Sequence, residues 1–273
     1  MTSESPSMKG PIPDMKSMKA AECLITPWRF HTRIAGIAPD DRPSTRSEGY
    51  RVQAALAELT GDRGIGWKIA ATSIAGQKHI GVSGPLAGRL LDSRLKANGA
   101  SVSIGSNIMK VAEAEFAFHM GRDLPPRATP YAVDEVLAAS TALYPAIEIP
   151  DSRYHDFCSA GEAQLIADFA CACWLILGAR APESWRSTDL AVHKVSAWIN
   201  GQKVADGIGS NVLGDPRIAL AWIANELSRE GMGLKADDIV ITGTCVVPVP
   251  ISAGQHFVAD LGTLGKVSAR LTD

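Results

Sequence analysis

The sequence predicts an α+β fold in which a helical N-terminal portion precedes a mostly β portion with a mixed sheet. Two observations support this fold class. Before about residue 105 the clearest periodic segment is helical, whereas after it strand-like runs follow one another and include one clear helix. We therefore predict a flexible segment at 1–19, an α-containing N-terminal subdomain at 20–104 and a β-rich domain at 105–273.

The N-terminal portion contains one strong helix signal and one strand. In STRSEGYRVQAALAELTGDRG, Ser47 is a plausible N-cap, apolar residues recur at helical spacing, and Gly61 marks the end. The following GIGWKIAATS is typical of a short buried strand that contains Lys68. The segment GVSGPLAGRLLDS carries turn residues without strong periodicity.

The β portion begins with the run NIMKVAEAEFAFHMG and continues with TALYPAIEIPDS and FACACWLILGA. In HKVSAWINGQKVADGIGS, the pair Asn200-Gly201 separates two strand-like runs and predicts a hairpin with a type I′ turn. One helix follows, with Asp215 as N-cap, Pro216 at its first position and Gly231 near its end. Three further strands are predicted in DDIVITGT, HFVADLG and LGKVSARL.

Composition excludes several classes of protein. Of 273 residues 46% are apolar and 21% charged, the net charge is −2, and no basic block suggests nucleic acid as a partner. Residues 1–19 lack the apolar core of a secretory signal, and no run approaches the roughly 20 apolar residues of a membrane span. The five cysteines show no paired C-x-x-C spacing, so we expect reduced thiols in a cytoplasmic protein.

Three glutamates in apolar strands are the main candidates for chemistry. Glu113 and Glu115 share one strand face, with Cα atoms about 6.6 to 6.8 Å apart, and Glu148 lies between two isoleucines in another strand. A divalent cation such as Mg²⁺, Mn²⁺ or Ca²⁺ would compensate these charges. A solvated glutamate face fits the same alternation, so periodicity alone leaves both interpretations open.

Lys68 also has two interpretations: its side chain extends to solvent from a core strand, or its ammonium serves a functional site. Among the histidines, His119 shares the face of Glu113 and Glu115, and a structural role is simpler for it than a catalytic one. His155 follows Glu148 in a loop-like stretch from which it could reach the mouth of a pocket. The turn at Thr244 is either a plain β-turn or part of a binding site. The glycines of GIGSNVLG lack the setting of a dinucleotide site.

The ordered motifs GWKIAATS, KVAEAEFAFHMGRDL, YPAIEIPDSRYHDF, VSAWINGQKVADGIGSNVLGDPRIALAWIANEL and DDIVITGTCVVPVPISAGQHFVADLGTLGKVSARL resemble the 2-keto-4-pentenoate hydratase branch of the fumarylacetoacetate hydrolase superfamily, from about residue 45 onward. The resemblance implies a mixed β-roll or sandwich catalytic domain at 105–273. It also implies a metal-dependent hydratase that adds water to a 2-hydroxy-2,4-dienoate in aromatic catabolism and forms a 4-hydroxy-2-oxo acid.

The resemblance assigns roles to individual residues. Glu113, Glu115 and Glu148 would bind one Mg²⁺ or Mn²⁺; Lys68, Glu113 and Glu115 would be catalytic. Lys68 would meet the substrate carboxylate or act as an acid, with a water held by the glutamates as the second candidate donor, and Thr244 would lie near the substrate. The implied partners are a small 2-oxo or 2-hydroxydienoic acid, further copies of the chain in a homo-oligomer, and a decarboxylase.

Two positions depart from the family pattern. Ser83 stands where relatives commonly carry an aspartate, and Phe169 replaces the asparagine of an I-A-D-N stretch. If both side chains bind the substrate, the substrate differs from the usual dienoate. The alternatives are a 2-oxo-acid decarboxylase or an acylpyruvate C–C hydrolase on the same metal site, and a catalytically reduced member that acts as a scaffold for a partner enzyme.

Overall fold

The computed structural model describes residues 11–273. Residues 1–10 of the predicted flexible segment lie outside this range, but residues 15–19 are helical. They begin α1 (Met15–Phe30), where the Asp14 carboxylate accepts a hydrogen bond of 2.8 Å from the Ser17 amide and caps the helix. The prediction of flexibility is therefore wrong for residues 15–19, because this cap and the buried face of α1 hold them in a helix.

The remaining helices are short or cover one face of the β structure. They are α2 (Arg46–Thr60), α3 (Ile74–Ile80), α4 (Val133–Ala138), α5 (Glu162–Ala167) and α6 (Pro216–Arg229). Thr45, and not the predicted Ser47, caps α2, because its hydroxyl accepts the Glu48 amide at 3.2 Å. The predicted end at Gly61 and the Asp215-Pro216 start of α6 are confirmed.

The larger sheet contains strands from both predicted domains. Its order is β2 (Leu86–Leu91), β1 (Gly64–Ala70), β10 (Ile239–Thr244), β5 (Val111–Met120), β6 (Ser140–Ile149), β7 (Trp174–Leu177) and β3 (Leu95–Ala97), and β11 (Val249–Pro250) pairs with β5. Because β1 pairs with β10, the predicted boundary between 104 and 105 does not separate two sheets.

The smaller sheet has the order β4 (Ser101–Ser103), β13 (Lys266–Thr272), β12 (His256–Asp260), β8 (Lys194–Ile199) and β9 (Gln202–Ile208). The predicted hairpin is confirmed: Asn200 and Gly201 connect β8 and β9 with φ values of 51° and 81°. The parallel pair β4 and β13 joins residues that are far apart in the chain.

The two sheets face each other, and α1 and α2 cover the outer face of the larger sheet. Phe116 and Phe118 of β5 belong to the core between the sheets, together with Phe257 of β12. Ala117 of β5 points the other way, into a second core that includes residues of α1 and α2. This architecture confirms the predicted α+β fold with a mixed sandwich or roll.

One predicted strand is much shorter than expected. In FACACWLILGA only Trp174–Leu177 is a strand, and the three preceding core residues Phe169, Ala170 and Cys171 form a left-handed turn with φ of 51°, 49° and 63°. Non-glycine residues seldom adopt this conformation, and three in succession require strong support from their surroundings. We call residues 169–171 the left-handed turn.

All five cysteines are free thiols. None of the helices within residues 11–273 combines the length and the apolar character that crossing a bilayer requires.

Candidate active site

A cavity of about 910 Å³ opens beside the larger sheet. Its walls come from the end of β1, from α3, from the left-handed turn, from residues 210–214 and from the segment between β10 and β11. Lys68, Glu113 and Thr244 of the predicted site line it. The cavity therefore collects residues that are far apart in the sequence at one end of neighbouring strands.

The three predicted carboxylates come together at this cavity. Glu113 of β5 is the register partner of Glu148 of β6, and Glu115 lies two residues along the same face of β5. One carboxylate oxygen from each lies within 4.8 Å of the others. This face is the one covered by helices, so Glu115 and Glu148 are 0% and 1% exposed. The structure therefore excludes the interpretation in which Glu115 and Glu148 lie on a solvent-exposed strand face.

The cluster contains more acceptor oxygens than donors. Glu115 Oε2 accepts a hydrogen bond of 2.7 Å from the Gly243 amide, but Glu115 Oε1 and Glu148 Oε2 are buried without a partner. Glu148 Oε1 lies 2.8 Å from Lys68 Nζ, an ion pair whose angles fall outside hydrogen-bond geometry. One ammonium thus faces three carboxylates.

Burial controls the electrostatics of the cluster. It raises the pKa of Glu113 and, together with the charges of Glu148 and Glu113, raises the pKa of Glu115 well above its usual value. Burial also raises the pKa of Glu148, although Lys68 opposes the shift. Burial alone would lower the pKa of Lys68, but the charges of Glu148 and Glu113 outweigh it and raise this pKa. The cluster lacks positive charge.

These residues fit a divalent cation. Buried acceptor oxygens without partners carry a large desolvation cost, which a metal ion removes by direct coordination. Three carboxylates are hard oxygen ligands, the type that Mg²⁺, Mn²⁺ and Ca²⁺ prefer. Glu113, Glu115 and Glu148 would hold the ion, and Lys68 would remain beside it as the second positive charge.

The backbone around Gly243 shapes the side of the cavity next to the glutamates. Gly243 has a φ of 104°, and a Cβ atom there would lie 2.3 Å from Thr72 Oγ1, so only glycine allows this close approach. The Thr244 hydroxyl donates a hydrogen bond of 2.7 Å to the Val246 carbonyl. Thr244 lines the cavity, and its hydroxyl hydrogen is already engaged.

Sequence reasoning missed several polar residues of the cavity. Thr72, Ser210 and Asn211 line it. The 3.2 Å bond from the Leu213 amide to the Thr72 carbonyl joins the segment GIGSNVLG to the end of β1. In the sequence, the glycines of that segment suggest only a nucleotide motif. Neither the hydrophobic periodicity of the segment nor the spacing of its residues predicts a cavity wall.

Ser83 and Phe169 do not line this cavity, in contrast to the expectation from the family pattern. Ser83 is exposed in a separate surface depression beside Arg46, and its hydroxyl donates a 3.4 Å bond to Glu162. Phe169 is 0% exposed and packs edge-to-face on Trp28 with ring centroids 5.2 Å apart. The left-handed turn directs this ring into the helix-covered core, and Ala170 and Cys171 line the cavity instead.

The histidines have separate surroundings. His119 lies at the far end of β5, where Nδ1 is 3.0 Å from Thr141 Oγ1. His79 of α3 lines the cavity, with Nε2 3.7 Å from Cys158 Sγ. The His155 amide donates to the Ile34 carbonyl at 2.9 Å.

Comparison with known proteins identifies one family and several similar enzymes. The fumarylacetoacetate (FAA) hydrolase C-terminal family model matches residues 92–272. The chain is 35% identical to 2-hydroxyhexa-2,4-dienoate hydratase of Comamonas testosteroni over 256 residues, which cover 92% of this chain and 95% of the relative. It is 33% identical to 2-keto-4-pentenoate hydratase of Burkholderia vietnamiensis over 218 residues, or 80% of this chain and 82% of the relative.

A solved structure agrees with the fold over nearly the whole chain. It is 4-oxalocrotonate decarboxylase from Pseudomonas putida G7, complexed with magnesium and adipate. The TM-score is 0.84 at 28% identity, and the match covers 94% of this chain and 97% of the decarboxylase.

Proposed function

Because the chain belongs to the fumarylacetoacetate hydrolase family, in its 2-keto-4-pentenoate hydratase branch, we propose that it is a metal-dependent hydratase of 2-hydroxy-2,4-dienoates in aromatic catabolism. The product is a 4-hydroxy-2-oxo acid. The observation that carries this proposal is the buried cluster of three glutamates beside Lys68 in a cavity large enough for such a substrate.

In the overall reaction, the 2-hydroxydienoate loses its 2-hydroxyl proton and gains a proton at its far carbon, which gives a 2-oxo-3-enoate. Water then adds across the remaining double bond, with hydroxyl on C4 and hydrogen on C3. A divalent cation, Mg²⁺ or Mn²⁺, supplies when bound the positive charge that stabilises an oxyanion at C2.

The residues of the chain have distinct roles in this proposal. Glu113, Glu115 and Glu148 hold the metal, and Glu148 also holds the Lys68 ammonium at 2.8 Å. Lys68 binds the substrate carboxylate or donates the proton to the far carbon. Thr244 contacts the substrate at the mouth of the cluster. The helix-covered side of the sheet limits access of bulk water to the carboxylates.

Decarboxylation of a 2-oxo acid on the same site is the second candidate. The structural similarity to 4-oxalocrotonate decarboxylase favours it. We also propose a homo-oligomer in the cytoplasm and cooperation with a decarboxylase that supplies or accepts the same type of acid; free cysteines are in keeping with the cytoplasm.

The test is an assay of the purified chain after removal of metal by a chelator. With 2-hydroxypenta-2,4-dienoate, we expect loss of the dienol absorbance on adding Mg²⁺ or Mn²⁺ and a product heavier by one water. Glu115→Gln should abolish this turnover, whereas Asp237→Asn, which removes a carboxylate 91% exposed, should not change it. Turnover that the chelator leaves intact, or CO₂ release from 4-oxalocrotonate without hydration, would contradict the hydratase proposal.

A further inference from the structure

The cavity wall outside the glutamate cluster carries almost no charge. Among the described residues that line it, only Lys68 and Glu113 have an amine or carboxylic acid side chain, and His79 is the one histidine. The remaining wall is mainly apolar and includes Ile80, Met109, Phe157, Leu165, Leu213 and Val246. Such a wall favours an apolar part of a ligand and offers no cation to an anionic one.

Lys68 is the one cation among the described lining residues; Lys78 and Lys110 adjoin lining residues in the chain but do not line the cavity. Lys68 pairs with Glu148. Arg153 pairs with Asp168, and Arg46 pairs with Glu162 and Glu226, each away from the cavity lining. A carboxylate at the far end of a substrate would therefore lose its water without gaining a cation among the described lining residues.

One part of the wall combines an aromatic ring with α3. The Phe157 ring meets the His79 ring edge-to-face with centroids 6.1 Å apart, and the next residue, Cys158, contacts His79. Phe157 and Ile80 are partly buried and pack on the main core, whereas Leu165 is fully buried in α5. Phe157 and Ile80 can therefore be replaced with less effect on the core than Leu165.

The cavity is also large for a five-carbon acid. Its volume of about 910 Å³ lies near the upper end of the roughly 300–1,000 Å³ typical of ligand pockets. Burying each additional CH₂ group against an apolar wall should improve binding by about fourfold.

We propose, on the basis of the hydratase function above, that this cavity selects 2-oxo and 2-hydroxydienoic acids with an uncharged alkyl or aryl tail and rejects those that end in a second carboxylate. Phe157 and Ile80 are the specificity-determining residues. They form the apolar wall that contacts the tail, and their replacement changes which acids bind.

The experiment measures binding and turnover separately on the full chain. Calorimetry with Mg²⁺ present gives the Kd of 2-oxopentanoate, 2-oxohexanoate, 2-oxooctanoate and 2-oxoadipate; the last replaces the methyl end of 2-oxohexanoate with a carboxylate. We expect affinity to rise about fourfold per CH₂, and 2-oxoadipate to bind at least about 100-fold more weakly than 2-oxohexanoate. The dienol assay is run in parallel.

Two variants test Phe157. Phe157→Ala should flatten the dependence on chain length, and Phe157→Arg should raise the affinity for 2-oxoadipate relative to 2-oxohexanoate. Val204→Arg, which adds the same charge at an exposed position of β9, is the matched control. It should change neither the dependence of affinity on chain length nor the ratio of the affinities for 2-oxoadipate and 2-oxohexanoate. Circular dichroism checks that each variant folds. If Phe157→Arg does not fold, Phe157→Ala alone tests the role of Phe157.

The outcomes separate the two proposals. Selective binding of apolar tails without turnover of any dienol supports the specificity proposal and overturns the hydratase function. Equal affinities for 2-oxoadipate and 2-oxohexanoate, or no rise with chain length, overturn the specificity proposal while turnover still supports the hydratase. Absence of both binding and turnover overturns both.

Discussion

Replacing Asp168 with alanine should destabilise the protein strongly, because it would leave the Arg153 guanidinium buried without its anion. The two side chains are 0% and 4% exposed. Asp168 pairs with Arg153 through Oδ1. Its other carboxylate oxygen, Oδ2, accepts hydrogen bonds of 2.9 Å from the Ser152 hydroxyl and the Arg153 amide. Arg153 also donates to the carbonyls of Asp168 and Ala172, so the pair holds both ends of the left-handed turn.

The size of the effect follows from burial. Removing one partner of a buried ion pair costs about 3 to 5 kcal/mol. For 273 residues, an unfolding entropy of about 2.1 cal/mol/K per residue gives roughly 0.6 kcal/mol/K, so the Tm should fall by about 5 to 9 °C. The control Asp92→Asn breaks an ion pair with Arg63 of 2.8 Å whose side chains are 46% and 73% exposed, and should cost less than about 1 kcal/mol.

Thermal unfolding followed by circular dichroism measures both variants under one condition. A double variant, Arg153→Met with Asp168→Leu, removes both charges and should recover at least half of the lost stability, because an apolar pair of similar volume has no unpaired charge. If Asp168→Ala is no less stable than Asp92→Asn, or if the double variant is less stable than Asp168→Ala, the reasoning about this pair is wrong.

Three further predictions follow from single contacts. Gly88→Ala should lower both Tm and kcat/KM, because its Cβ atom would lie 1.9 Å from the Phe169 carbonyl oxygen and displace the left-handed turn. The control Gly84→Ala has open space around it and should resemble the wild type. Equal behaviour of the two variants would rule out the role given to this contact. Glu115→Gln should weaken Mn²⁺ binding by about 100-fold or more in calorimetry, because loss of even a residue that only contacts a metal ligand lowers metal affinity by about 10- to 100-fold. An unchanged Mn²⁺ affinity would show that Glu115 does not bind the metal. Gly201→Val should cost roughly 1 to 2 kcal/mol in urea unfolding, because φ is 81° there; an unchanged midpoint would show that the hairpin turn tolerates a β-branched residue.

The predictions that succeeded depend on short-range chemistry. The Asn200-Gly201 turn and the Asp215-Pro216 helix start are fixed by residues within a few positions of each other, so the sequence contains the necessary information. Period 2 places Glu113 and Glu115 on one face, but only the family resemblance predicts that Glu148 joins them in one cluster. The burial of Glu115 and Glu148 on this face depends on tertiary structure, which alternation along one strand does not contain.

The predictions that the structure does not support concern irregular backbone. The positions of Ser83 and Phe169 in family motifs predict that both contact the substrate. In the structure, three successive residues with positive φ begin at Phe169, whose ring lies in the second core and not in the cavity. The support for that turn comes from Arg153 and Asp168, whose contact no local pattern indicates. The start of α1 was missed because its cap, Asp14, lies in a polar stretch.

The parallel pairing of β4 with β13 imposes an order on folding during synthesis. Residues 101–103 leave the ribosome long before residues 266–272, yet each of the two strands supplies the other with ladder hydrogen bonds. β12 also lacks one neighbour until β13 arrives. The smaller sheet therefore cannot close before residues 266–272 have left the ribosome, and until then the apolar face of the larger sheet that it covers remains exposed.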